Sequence, residues 1–180
     1  MRALALLAAA ALPLAAQTSG PKVGDKAPDF TIGTVTADNA TPTPVSLASL
    51  KGKTVVIAFF PKARTSGCTV QLQTYRDQYA TMFNGGKDVV LLAISTDTPA
   101  DLHAWAKEAR FPFLMGADVE GKVGTLFGAY MPANKMDNRI LAVVAPDGTI
   151  KHEARPFRAM GQDDYVALEA AVDRISSGKP

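Results

Sequence analysis

The chain has 180 residues, 47% of them hydrophobic and 20% charged, which is enough apolar material for one domain with a real core and calls for no second. A formal net charge of +2, carried on scattered basic residues, gives neither a nucleic-acid footprint nor a polybasic membrane patch, so the expected partner is a small molecule. The single cysteine, Cys68, excludes an internal disulfide, a paired-cysteine redox motif and a multi-cysteine metal site; with His103 and His152 far apart in sequence, metal chemistry is not expected either.

Met1 and Arg2 precede an apolar stretch, residues 3–16, that is shorter than the roughly 20 residues needed to span a bilayer and ends in small residues before Gln17. This pattern predicts a secretory signal cleaved after Ala16, leaving residues 17–180 as a single domain that is soluble outside the cytoplasm, in a bacterial periplasm. Residues 17–28, polar and rich in Gly and Pro, read as a linker, residues 29–32 as a short edge strand and residues 34–44 as a second polar loop. A turn over residues 46–53 leads into an apolar run, residues 54–60, whose length and Val, Ile and Phe content suit a strand buried on both faces. Pro61 ends it.

After a short turn, apolar and aromatic positions recur at Cys68, Leu72, Tyr75, Tyr79 and Met82, in steps of three and four that share one helix face until Asn84-Gly85-Gly86 stops them. Residues 89–94 form a second β-branched run, which completes a βαβ unit. Thr96 or Thr98 caps the next helix, with Pro99 in its first turn and Leu102, Trp105, Ala106 and Ala109 on its apolar face; His103 then lies on the helix surface rather than acting as a base. A short strand is expected over residues 111–115, with Gly116 and Ala117 fitting poorly, and a small helix over residues 120–127. Residues 130–138 lack periodicity and read as a loop on the active-site face, where Met131 and Met136 line a hydrophobic approach or fill gaps. Residues 140–144 and 149–153 flank Pro146-Asp147-Gly148 as a hairpin, with His152 on its second strand, and residues 162–177 close the chain as an amphipathic helix.

The chemistry concentrates on Cys68, which faces inward from the first turn of its helix. The unpaired N–H groups and positive dipole end there favour a negative sulfur, and the thiolate is the nucleophilic form of cysteine. A helix end supplies only ~0.3 to 1 kcal/mol, so a second positive group is expected near the sulfur. Thr65 either reaches the sulfur or the exposed N–H groups with its hydroxyl, or merely caps the helix; Gly67 leaves room for a small substrate to reach backbone donors. Pro61 either fixes the loop and shields the thiol or merely stops the strand, and Cys68 itself has the alternative reading of a small buried hydrophobe.

The spacing Pro61-x3-Thr65-x2-Cys68 resembles the peroxiredoxin active-site motif, and Pro61-Lys62-Ala63 with Gly67-Cys68-Thr69 resembles its bacterioferritin-comigratory, or PrxQ, branch. The likeness continues through Val23-Gly24-Asp25-Lys26-Ala27-Pro28-Asp29-Phe30, Tyr75-Arg76-Asp77, Ile94-Ser95-Thr96-Asp97 and Phe111-Pro112-Phe113-Leu114, and covers most of residues 22–177. It implies an α/β, thioredoxin-like fold with a central mixed β-sheet flanked by helices. It also implies reduction of hydrogen peroxide and organic hydroperoxides through a Cys68 sulfenic acid, without a cofactor. Arg139 matches the arginine that, in this family, points its guanidinium at the thiol to stabilise thiolate and orient peroxide; Arg64 and Arg158 are two further candidate arginines.

Two positions depart from the family pattern: Ser66 stands where close relatives usually have proline, and Gln73 where many PrxQ proteins carry a resolving cysteine. Oxidised Cys68 is therefore expected to be recycled by an external thiol, a thioredoxin-like protein or a small molecule, in a monomer or homodimer. The rival readings are a thiol-disulfide oxidoreductase, for which a second cysteine is missing, and a redox-sensing or binding module built on one oxidisable thiol.

Overall fold

In the computed structural model, which describes residues 20–177, the chain runs β1 (Thr31–Val35), β2 (Thr43–Ser46), β3 (Thr54–Phe59), α1 (Ser66–Asp77), α2 (Tyr79–Met82), β4 (Val89–Ser95), α3 (Pro99–Ala109) and β5 (Leu114–Ala117). It continues through α4 (Lys122–Leu126), β6 (Tyr130–Met131), β7 (Met136–Asp137), β8 (Leu141–Val144), β9 (Ile150–Ala154) and α5 (Gln162–Ser176), with single 3-10 turns at Ala48–Leu50 and Asn84–Gly86. The proposed signal, residues 1–16, lies outside the described residues. Among the described residues no helix is long and apolar enough to cross a membrane.

Seven strands form one mixed sheet in the order β2-β1-β5-β4-β3-β8-β9. β3 lies between a parallel neighbour, β4, and an antiparallel one, β8, and all six of its residues are buried. Its alternation supplies two cores. Val56, Ala58 and Phe60 join Leu72, Tyr75, Trp105 and Leu168 from α1, α3 and α5 on one face, while Val55, Ile57 and Phe59 join Val123 and Phe127 on the other. The continuous apolar run over residues 54–60 thus reflects burial from both sides. α3 begins at Thr98, whose hydroxyl oxygen accepts the Asp101 N–H at 3.2 Å, so Thr98 rather than Thr96 is the cap.

Five expectations need correction. Residues 34–44 are not one loop: their ends pair as β1 and β2, and only the middle is a turn, held by Thr36 Oγ1 accepting from Asn39 N–H at 3.1 Å and Asn39 Oδ1 accepting from Thr41 N–H at 3.0 Å. β2, with Pro44 and little buried surface, is the sheet edge, while β1 is enclosed by β2 and β5. The fifth strand shifts from residues 111–115 to Leu114–Ala117. There Gly116 is a packing requirement, since a Cβ would meet Ile32 Cδ1 at 2.9 Å and Ile94 Cγ1 at 3.1 Å. The helix running to Met82 breaks at Gln78 into α1 and α2, although Tyr79 and Met82 keep the same apolar face. Residues 130–138 close into a ribbon in which Tyr130 pairs with Asp137 and Met131 with Met136, strands too short for alternation to show.

Candidate active site

β3 delivers the chain to the carboxyl end of the sheet. Phe60 N–H still donates to the Ile94 carbonyl at 3.0 Å, and Pro61, half-buried and without an N–H, ends the pairing. α1 opens at Ser66 with Thr65 as an extended N-cap (φ −73, ψ 154). The Thr65 carbonyl accepts the first helical N–H, from Thr69 at 2.8 Å, but its hydroxyl does not cap: it donates to the Lys62 carbonyl at 3.0 Å. Cys68 sits in the first turn with 0% of its surface exposed.

Arg139 arrives from the other side of β3. Because β8 is antiparallel to β3, with Leu141 opposite Ala58 and the Ile140 carbonyl accepting Phe59 N–H at 2.8 Å, the residue before Ile140 stands at the end of β3 where Cys68 stands. Its backbone is fixed by Phe157 N–H donating to the Arg139 carbonyl at 2.8 Å. The guanidinium donates through Nη2 to Cys68 Sγ at 3.4 Å and through Nη1 to Gln71 Oε1. Gly67 makes this approach possible, since a Cβ there would lie 3.1 Å from Arg139 Nη2. The space beside Gly67 is filled by the guanidinium.

Gln71 is the member of this cluster that the sequence reading missed. It is fully buried one turn beyond Cys68, and its Nε2 donates to the Tyr75 hydroxyl at 3.0 Å, so both ends of the amide are used. Burial pushes the Tyr75 phenol up, which keeps it neutral. The signal was present: Gln71 shares the helix face of Cys68, Leu72 and Tyr75, and a polar side chain on a buried face marks a polar partner.

The remaining candidates lie elsewhere. Arg64 pairs with Glu108 on α3 at 2.8 Å and Arg158 with Asp164 at 2.6 Å, so neither faces the thiol. His103 is half-buried, with Nδ1 2.8 Å from the Thr36 carbonyl, and ties α3 to the end of β1. His152 lies on β9, where burial and the charge of Arg174 hold its imidazole below the usual range. Ser66 and Gln73 lie on α1, exposed and half-buried respectively. Among the described residues no group of three or more His, Cys, Asp or Glu side chains is placed to hold a metal ion.

Two residues before Arg139, Asp137 is fully buried and neither carboxyl oxygen has a hydrogen-bond partner among the described residues. Gly124 accommodates it, since a Cβ there would lie 2.1 Å from Asp137 Oδ1, while Gly124 N–H donates to Asp118 Oδ2 at 2.7 Å. Burial, with the charge of Asp118 adding to it, pushes the Asp137 carboxyl from 3.8 up to about 8. Between those values the folded protein keeps a proton that the unfolded chain has released, so stability falls as pH rises through the window and levels off above it. From about pH 5 to about pH 7 the unfolding free energy should drop by about 3 kcal/mol more in the wild type than in Asp137→Asn, at ~1.4 kcal/mol per pH unit. Urea unfolding of both proteins at the two pH values checks this; equal slopes would contradict it.

Residues 23–153 match the AhpC/TSA family. Peroxiredoxin Bcp of Escherichia coli K12 is 32% identical over 151 residues, covering 81% of this chain and 92% of that protein, and the chloroplastic peroxiredoxin Q of Gentiana triflora is 33% identical over 131 residues, covering 71% and 56%. Among solved structures, Enterococcus faecalis AhpC superposes with a TM-score of 0.73 at 24% identity, covering 88% of this chain and 96% of that one. Peroxidoxin BcpB of Mycobacterium tuberculosis superposes with a TM-score of 0.72 at 24% identity, covering 86% and 97%. The thioredoxin-like mixed sheet, the Cys68 loop at the carboxyl end of β3 and a family match across most of the sequence lead to one assignment: the chain belongs to the AhpC/TSA family of peroxiredoxins.

Proposed function

We propose that the protein is a thiol-dependent peroxidase whose nucleophile is Cys68. The observation that carries this reading is the Arg139 guanidinium 3.4 Å from Cys68 Sγ, at the amino end of α1. The fixed cation stands beside the sulfur at the positive end of the helix dipole, where negative charge developing in the reaction is favoured. In the reaction the sulfur lone pair forms an S–O bond to the terminal oxygen of the peroxide, the O–O bond breaks, and the leaving oxygen departs with its electron pair. That oxygen takes up the proton equivalent to the one the thiol released, giving water or an alcohol and leaving Cys68 as sulfenic acid. Arg139 meets the charge that develops on the oxygens. Because Cys68 is covered, the substrate enters past the exposed Thr65 and Ser66.

Thr65 contributes through its hydroxyl, which donates to the Lys62 carbonyl and leaves its oxygen lone pairs free to accept from a peroxide O–H. Thr65→Val should slow oxidation of Cys68 by roughly tenfold, about one hydrogen bond's worth. Rapid-mixing kinetics decide the point, and a variant that changes only in thermal stability assigns the hydroxyl to bracing the loop.

Recycling needs an outside thiol, since no second cysteine exists in the chain. A first thiol displaces hydroxide from the sulfenic acid to give a mixed disulfide and water, and a second attacks the outer sulfur, releasing Cys68 as the thiol and leaving the two outside thiols joined as a disulfide. Without reductant the protein should consume about one equivalent of peroxide before slower overoxidation; with dithiothreitol it should turn over repeatedly. Sustained turnover without any reductant would contradict the scheme. The basic start and short apolar run of residues 1–16 support export to a periplasm, and amino-terminal sequencing of the protein recovered from that compartment, starting at Gln17, tests it.

A further inference from the structure

Resting on the peroxidase reading, we propose that Asp97 is a positioning residue for the catalytic loop: its buried carboxylate clamps residues 62 and 63 to the end of β4 and so sets where Thr65 and Cys68 stand. Asp97 lies two residues beyond β4 and is 2% exposed. Its Oδ2 accepts from Ala63 N–H at 2.8 Å and from the Ser95 hydroxyl at 2.9 Å, while Oδ1 faces the Lys62 ammonium at 2.5 Å. Ser95 Oγ in turn accepts from Asp97 N–H at 3.2 Å, which fixes the carboxylate against its own strand.

The peptide unit joining Lys62 to Ala63 explains why this clamp reaches the sulfur. Its N–H is held by Asp97 and its carbonyl accepts the Thr65 hydroxyl at 3.0 Å, so orienting one peptide plane orients the residue that caps α1 three positions before Cys68. The loop's other outside brace is Arg64 with Glu108, an exposed pair of the kind that holds geometry weakly. Lys62 cannot supply the constraint alone, because its side chain is 56% exposed; the buried, acceptor-only carboxylate can. The hydrogen bond to Asp97, more than any other interaction, raises the Lys62 ammonium above its usual range, consistent with a tight pair.

In-line attack on a peroxide requires the sulfur and its donors to be held together, and a misplacement of about 1 Å costs on the order of a hundredfold. Alkylation of the same sulfur by iodoacetamide needs the thiolate but not that alignment. Asp97→Asn turns an amide N–H2 toward the Lys62 ammonium or loses the Ala63 bond, since one amide oxygen cannot serve every donor present. In the otherwise unchanged full chain, Asp97→Asn should slow Cys68 oxidation by hydrogen peroxide roughly tenfold to a hundredfold and change the iodoacetamide rate by less than about twofold. Lys62→Met and Ser95→Ala, each removing one partner of the clamp, should show the same peroxide-selective loss at about twofold to fivefold, and they carry the test if Asp97→Asn does not fold. Wild-type peroxide rates in the folded variants, or peroxide and alkylation rates that fall together, would overturn the positioning role. A wild-type protein oxidised no faster than free cysteine overturns the peroxidase reading itself, and is seen before any variant is made.

Discussion

Replacing Cys68 by serine is expected to reduce peroxide consumption to the uncatalysed background, a loss of about a thousandfold or more. The two side chains are close in size, and Cys68 lies in a core cluster with Phe60, Leu72 and Trp105, so the fold should survive with circular dichroism and a cooperative melt unchanged. A serine hydroxyl is a far weaker nucleophile toward peroxide than a cysteine sulfur, and no second cysteine is available to take over. Folded Cys68→Ser protein that still turned over peroxide with dithiothreitol would remove the thiol from the reaction.

Arg139→Met is expected to slow oxidation of Cys68 by about a hundredfold to a thousandfold, the cost of losing a preorganised donor at a developing charge. The same guanidinium touches both Cys68 Sγ and Gln71 Oε1, so the variant also leaves a buried amide oxygen unpaired, at about 1 to 3 kcal/mol of stability. Pairing it with Gln71→Leu and Tyr75→Phe, which removes the amide together with the buried hydroxyl it serves, separates the two effects: stability should recover and the rate should not. Arg139→Lys should fall between, because an ammonium cannot span the sulfur and the amide with a planar fork. Stopped-flow oxidation with urea unfolding on the same samples reads both, and an unchanged rate in Arg139→Met takes the residue out of the site.

The local half of the site was legible from the residues themselves. β3 reads plainly because burial on both faces leaves only apolar residues after Thr54, and the spacing from Cys68 to Tyr75 follows from one helix face. Arg139 does not read that way. It lies 71 residues from Cys68, and its approach depends on the antiparallel register of β8, which no local pattern encodes; only the family resemblance pointed to it. Asp97 looks like an ordinary polar residue until burial shows what it holds, whereas Gln71 was signalled by its place on the helix face of Cys68, Leu72 and Tyr75. β2 escaped because an edge strand facing solvent needs no apolar alternation, and the β6–β7 ribbon because two residues cannot display a period.

The most direct test is where the first oxygen goes. Reduced protein mixed with less than one equivalent of hydrogen peroxide, quenched with a sulfenic-acid trap and mapped by peptide mass spectrometry, offers two sulfurs in opposite settings. Cys68 is 0% exposed, whereas Met160 is 80% exposed and is the sulfur that unassisted oxidation would reach first. A peroxidatic Cys68 held by Arg139 and the end of α1 predicts trapped sulfenic acid at Cys68 with Met160 still reduced. Oxygen on Met160 while Cys68 remains a free thiol would contradict the assignment.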